Sequence, residues 1–386
     1  MKFLSNNIIL LLLAVVAGCI AGLFIPETGM KGVLVLKQLC GQVIFFLVPL
    51  IIIAFVAPSI ALLRGEVSRL ILLSFLLAYA SSVGAAVLAV TGGYRLIPLL
   101  DIEAGGEAFR ALPEVLFKLE IPAVMSVMSA LLLAVFLGLG CIWTRADSMV
   151  RALTQFRDIV LQLVSRVLVP LLPVYVASNF CALAYEGSLH KLKVFLPVIL
   201  LVIVGHLVWL FLLYAAAALY ARKNSWEVLR HYGPAYCTAL GTMSSAATLG
   251  VALQCAHKSR LLEGRVVDFG IPLFANIHLC GSVLTEAFFV CVVSQLLYGH
   301  LPELSTIILF VLLLGVFAVG APGVPGGTVL ASLGIVVSVL GFDDRGTALL
   351  IAIFALQDSF GTACNITGDG ALALIIDTYV RRHSAK

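Results

Sequence analysis

The sequence predicts an all-α integral membrane protein of eight transmembrane helices and two re-entrant helical hairpins, with residues 1–224 forming a scaffold and 225–386 a core. Three observations predict it. Of 386 residues, 62% are hydrophobic and only 11% charged, with a mean hydropathy of +1.13, against roughly 25% charged in an average soluble domain. Apolar stretches of about 20 residues, enough to carry a helix across ~30 Å of hydrocarbon, recur from end to end. Two later stretches are apolar at both ends and broken in the middle by small polar, Gly or Pro residues. Backbone groups in lipid must be satisfied within the spanning segment, which makes these spans helices.

The first six helices follow the apolar runs. Residues 8–25 continue through Gly18, Gly22 and Pro26 without an A-x-A cleavage site, so they read as a membrane helix, not a signal peptide. Helices are expected at about 7–25, 33–63, 67–97, 113–143, 155–184 and 191–220, separated by polar or Pro/Gly turns. The second and third exceed the length of a perpendicular crossing and must tilt or run past the headgroups. An N-terminus inside places Arg64, Arg69, Arg145, Arg151, Arg222, Lys223, Arg230, Lys258, Arg260, Arg265, Arg381 and Arg382 in the cytoplasm. Lys31, Arg110, Lys191, Lys193 and Arg345 then lie opposite. Both termini are therefore expected in the cytoplasm, and the short chain without targeting signals suggests a cell inner (plasma) membrane. No basic tract points to nucleic acid. The nine cysteines, most within apolar spans and none in a CxxC pair, read as small buried hydrophobes.

After residue 224 the breaks fall inside the segments. The first, about 226–256, carries Gly241-Thr242-Met243-Ser244-Ser245-Ala246-Ala247-Thr248-Leu249-Gly250 at its centre. The second, about 303–341, carries Gly320-Ala321-Pro322-Gly323-Val324-Pro325-Gly326-Gly327-Thr328. Each half is too short to cross, so each segment reads as a hairpin that enters and leaves on one side. Non-helical backbone at membrane depth is tolerated only where it is buried in protein or lines a wet cavity, so paired breaks point to a binding site. Hairpin plus helix at 226–297, then hairpin plus helix at 303–379, predicts an inverted repeat. Basic residues flank the first hairpin, whereas Glu303, Asp343 and Asp344 flank the second, which opens them on opposite sides.

The last span holds the run from Gln357 to Asp369 between apolar Ile351–Leu356 and Ala371–Ile376. Carboxylates at that depth are costly, so Asp358 and Asp369 should face a cavity with a cationic partner. Steps of four, three and four put Asp358, Thr362, Asn365 and Asp369 on one helical face. Such a stripe of oxygens suits a hard cation or an ammonium group. The bland alternative, polar groups that only join neighbouring helices, is common for single Ser, Thr or Asn residues.

These residues resemble the dicarboxylate/amino acid:cation symporters, the family of the glutamate transporters and their neutral amino acid relatives. Pro234–Ala239 followed by Ser244–Leu249 resembles that family's first hairpin with its serine-rich tip, Gly323-Val324-Pro325-Gly326 its second tip, and Asp358–Asp369 its final helix. The resemblance covers nearly the whole chain and implies a glutamate transporter-like fold, a homotrimer built by the scaffold, and no enzymatic activity. It implies that Asp358 takes a substrate's α-amino group, while Thr362 and Asn365 bond its carboxylate or backbone polar atoms. Main-chain groups at Ser245 and Val324 would close over it, with Ser244, Pro325, Gly326 and Gly361 around them. Asp369 with Asn365 would hold a sodium ion, with Asn276 and His278 as the other candidate ion residues. Carbonyls around Gly320–Pro322 would hold a second ion.

Departures from the family pattern narrow the reading. Members that take acidic substrates carry an arginine where this chain has Gly361, and some carry one where it has Met243; without either, an acidic side chain would be buried unpaired. A neutral amino acid is therefore expected. The family's Asn-Met-Asp-Gly-Thr appears here as His278-Leu279-Cys280-Gly281-Ser282, and Ser74–Tyr79 lacks most of the hydroxyls expected opposite it, so fewer than three sodium sites are expected. His278 either bonds a neighbouring helix or couples a proton in place of a sodium. Glu286, two turns on, is a weaker candidate for that coupling, because residues near the end of a span can be solvated. The alternatives are an acidic amino acid or C4-dicarboxylate symporter, an ion channel, which would need several Gly-rich loops around one axis, and a non-transporting sensor. An intramembrane hydrolase finds no HExxH, no GxSxG and no convincing Ser/His pair.

Overall fold

The computed structural model describes residues 7–61, 68–100, 112–114, 121–125, 127–187, 195–321 and 326–384. Among these the chain is helical without a strand: α1 (Asn7–Phe24), α2 (Glu27–Ala61), α3 (Ser68–Leu96), α4 (Val127–Thr144), α5 (Asp147–Leu163), α6 (Val169–Tyr185), α7 (Phe195–Ala221), α8 (Trp226–Leu229), α9 (Gly233–Thr242), α10 (Ser245–His257), α11 (Gly264–Ile277), α12 (Cys280–Tyr298), α13 (Leu304–Gly320), α14 (Gly327–Ser338) and α15 (Asp344–Ser384). Among the described residues four stretches, Arg69–Leu100, Phe195–Ala221, Gly264–Tyr298 and Asp344–His383, are long and apolar enough to cross a membrane.

Of the boundaries that differ from the expectation, three bear on the packing. The helix expected over 113–143 starts at Val127, and residues 112–114 and 121–125 are not helical. The helix expected from 155 begins at Asp147, because α5 is amphipathic: Leu153 and Val160 are buried while Arg151, Arg157 and Asp158 sit on its outer face. A π turn, Val164–Leu168, joins α5 to α6 just before Pro170. A proline amide cannot feed the helical ladder, and a wider turn is one way to absorb the lost bond. Third, the span 264–298 is not continuous. It stops after Ile277, passes through extended His278 and Leu279, and restarts at Cys280.

The two predicted central breaks are present. α9 stops at Met243, whose φ of +53° is unusual for a residue with a side chain. Ser244 is extended, and its hydroxyl accepts the Ala247 N–H at 3.3 Å, capping α10. α13 and α14 flank the second break, whose residues 322–325 lie outside the described residues. At 1.5 Å per residue none of α9, α10, α13 and α14 reaches ~30 Å.

α12 and α15 form the centre, with nearly every residue of α12 buried. α12 packs on α15 and α3, α7 packs along α15, and both broken pairs touch α15. A second group joins α1 to α6, and α2 to α4, α5 and α6. Small residues set both approaches, as expected where lipid removes the hydrophobic drive between helices. A Cβ on Gly281 would stand 2.5 Å from the Gly361 carbonyl, and one on Gly18 would stand 2.3 Å from the Ala177 carbonyl. Large apolar side chains such as Phe136, Phe211 and Leu219 face outward.

Candidate functional site

α15 is unbroken, so the predicted stripe exists, and Asp358, Thr362, Asn365 and Asp369 are all buried. The neighbours of its two ends differ. Asp358 Oδ2 accepts the Gly326 N–H at 2.6 Å. Gly326, with φ +73°, occupies a conformation that favours glycine, and it stands at the positive N-terminal end of α14. Among the described residues no basic side chain pairs with Asp358, so the expected cationic partner is replaced there by a main-chain donor. At the other end, Asp369 Oδ1 lies 2.8 Å from His278 Nδ1, and His278 Nε2 lies 2.8 Å from Ser81 Oγ on α3. All of this is buried, and Asp369 Oδ2 finds no hydrogen-bond partner among the described residues.

The break at 278–279 is what aims the imidazole inward. Gly368 leaves room for it, since a Cβ there would stand 2.9 Å from His278 Cε1. Restarting a buried helix at Cys280 leaves its first amides without carbonyl partners. Asn365 supplies them across the helix interface: Oδ1 accepts from Gly281 N at 2.7 Å and Ser282 N at 3.2 Å, while Nδ2 donates to Ser282 Oγ at 3.0 Å. Its amide is thus committed to α12. On the far side, His206 Nε2 lies 3.0 Å from the Gly281 carbonyl and 2.9 Å from Thr285 Oγ1.

The other predicted residues fall as follows. At the first tip, Ser244 caps α10, Ser245 is buried, and Thr242 and Thr248 bond each other at 3.0 Å. Val324 and Pro325 lie outside the described residues, so Gly326 alone represents their group. Asn276 is not brought to the stripe: its side chain is exposed and donates to the Pro272 carbonyl at 2.7 Å. At Gly361 an added Cβ would stand 3.2 Å from the backbone of Ser282. Glu286 corrects its expectation, because it is completely buried; Ser332 Oγ of α14 donates to Oε1, and Oε2 has no partner among the described residues. α12 is buried as far as Ser294, so only its last turn reaches the surface and Glu286 lies two turns inside it.

Two contributors were not singled out by sequence. The hydroxyls of Ser74–Tyr79 do not bond His278: Ser74 bonds the Leu70 carbonyl and Tyr79 that of Leu312. Ser81 takes that place, and the Ser81-Ser82 pair within an apolar span was the available signal. His206 carried the same kind of signal as the one histidine in the run 191–220.

The chain is similar to known amino acid transporters. The chain is 31% identical over 168 residues to excitatory amino acid transporter 1 of Homo sapiens, which is 44% of this chain and 30% of that protein. It is 29% identical over 164 residues to neutral amino acid transporter B(0) of Bos taurus, covering 42% of this chain and 30% of the relative. A Caenorhabditis elegans excitatory amino acid transporter is 30% identical over 158 residues, 41% of this chain and 31% of the relative. The matched region thus spans about a third of each relative's length. A family model matches far more of the chain, residues 8–379, and on that match the chain belongs to the sodium:dicarboxylate symporter family.

Proposed function

We propose that the chain is a secondary active symporter of a small neutral amino acid, driven by sodium and working by alternating access of its core. The observation that carries this reading is Asp358, a buried carboxylate that accepts one main-chain N–H from the start of α14 and meets no basic side chain among the described residues. A substrate ammonium is the partner such a group needs, and once bound it removes the penalty of an uncompensated buried charge. The orphaned Asp369 Oδ2 suits a sodium ion on the same stripe. With His278 already on Oδ1, and Cys280 where the family pattern has an acid, fewer than three sodium ions are carried.

The neutral substrate rests on Gly361. The approach of Ser282 there leaves no room for a long basic side chain unless α12 moves, so a side-chain carboxylate finds no cation at that position. The reading includes eight transmembrane helices, hairpins at α9–α10 and α13–α14, a homotrimer in a cell inner membrane, and cytoplasmic termini. Residues 1–224 contain the scaffold, while α3 and α7 move with the 225–386 core on which they pack. The test is uptake of radiolabelled serine, alanine, aspartate and succinate into liposomes under an imposed sodium gradient, with Asp358→Ala as control. Sodium-driven uptake of serine or alanine, absent in the control, is expected; preferential aspartate or succinate uptake would overturn the neutral substrate.

A further inference from the structure

A cavity of about 650 Å³ lies on the side of α15 facing α7, α8 and α9, apart from Asp358 and His278. Its outer wall is apolar, with Leu210 buried and Phe211 71% exposed. Trp226 and Arg230 stand at its exposed rim, and Tyr232 and Thr367, both buried, form its floor. Among the described residues neither the Tyr232 hydroxyl nor Thr367 Oγ1 has a hydrogen-bond partner. Two other threonines on α15 do bond a carbonyl one turn back, Thr378 that of Leu374 at 2.8 Å and Thr347 that of Asp343 at 3.0 Å. Two buried donors without acceptors are costly, so an occupant should bring acceptor oxygens to the floor.

The occupant must also be apolar where it meets Phe211 and anionic at the rim. Arg222 and Lys223 precede the rim and Arg230 stands on it. Glu227, 3.6 Å from Arg230, is the local counter-charge, but its oxygens also accept from Ser259 Oγ and the Arg260 N–H. A tryptophan beside basic residues at the end of a lipid-facing helix is the usual composition of a membrane interface.

We propose that this cavity holds an anionic glycerophospholipid, its ester carbonyls accepting from Tyr232 and Thr367, its acyl chain along Phe211 and its phosphate at Arg230. Because Tyr232 precedes α9 and Thr367 lies on α15, the lipid would tie the first broken pair to the central helix. The proposal rests on the membrane placement of these helices and not on the choice of substrate.

The test is the melting temperature of the delipidated full-length protein in mild detergent, titrated with phosphatidylglycerol or with phosphatidylcholine of the same acyl chains. Phosphatidylglycerol is expected to stabilise the wild type by several degrees at lower concentration than phosphatidylcholine. Tyr232→Phe and Thr367→Val should each raise the half-saturating concentration about fivefold, one hydrogen bond's worth, without lowering the lipid-free melting temperature. Arg230→Gln should abolish the preference between the two lipids. Unchanged titrations in both Tyr232→Phe and Thr367→Val, or equal stabilisation of the wild type by the two lipids, would overturn the proposal. Should Thr367→Val not fold, Tyr232→Phe alone, read by native mass spectrometry of retained phosphatidylglycerol, decides it.

Discussion

Asp358 and Asp369 lie on one face of one helix and are both buried, yet they have opposite surroundings. Asp358 meets a backbone amide at the edge of a break, a contact that leaves its charge without a cation. Asp369 meets a histidine that is itself held by a serine from a third helix. A carboxylate held by one main-chain donor can take a ligand's charge, whereas one braced by a side-chain chain is part of the architecture and offers only its free oxygen. Equal burial and equal residue type therefore do not mean equal role.

The comparison breaks most sharply at Asp358. Asp358→Asn should cut uptake at least about 100-fold, since an amide cannot neutralise an ammonium, while leaving the melting temperature unchanged or raised. A large loss of stability instead would place Asp358 with Asp369 as architecture. The reverse is expected of His278→Ala, which strands Asp369 and Ser81 together in the core: a loss of about 3–5 kcal/mol, partly recovered in the His278→Ala/Asp369→Asn double variant. A thermal-melting cycle over the four proteins checks it.

Between those ends, Asn365→Ala uncaps the restarted α12 and should cost about 1–3 kcal/mol by leaving the Gly281 and Ser282 amides unpaired. Melting of the purified variant reads this. Gly361→Arg asks whether the stripe accepts a cation: with Ser282 so close, overpacking should cost about 1–3 kcal/mol, and aspartate uptake should not appear. Gain of aspartate uptake at wild-type stability would mean that α12 yields. The smallest effect calibrates the others at an acid beyond the spans. Burial raises the Glu227 carboxyl, but the Ser259 hydroxyl, the Arg260 N–H, Arg230 and His231 more than offset it and hold it below the usual range. A depressed carboxyl contributes stability above its unfolded value and loses it as the pH falls through the folded one. Glu227→Gln should therefore cost about 1 kcal/mol at neutral pH, a difference that shrinks as the medium is acidified below about pH 4.

Much of this was legible in the sequence because it is local. Helical spacing alone placed Asp358, Thr362, Asn365 and Asp369 together, and the Met243-Ser244 and Gly320–Gly327 breaks announced themselves by composition. Partners were harder, since the residues that define each acid come from other helices. His278 reaches Asp369 only because the helix opens at 278–279, and no proline or glycine in the run His278-Leu279-Cys280 marks that opening. Ser81 rather than Ser74 meets the histidine because the register of α3 against α12 is a matter of packing. The start of α5 was missed because an amphipathic helix does not look like a span.

The central claim is that Asp358 receives the substrate while Asp369 serves the cation, and the most direct test is melting of Asp358→Asn and Asp369→Asn with sodium, with serine or alanine, and with both. Asp358→Asn should keep the sodium-induced rise and lose the further rise with amino acid, whereas Asp369→Asn should lose the sodium-induced rise itself. A sodium response abolished in Asp358→Asn, or an amino acid response retained by it, would contradict the assignment of the two carboxylates.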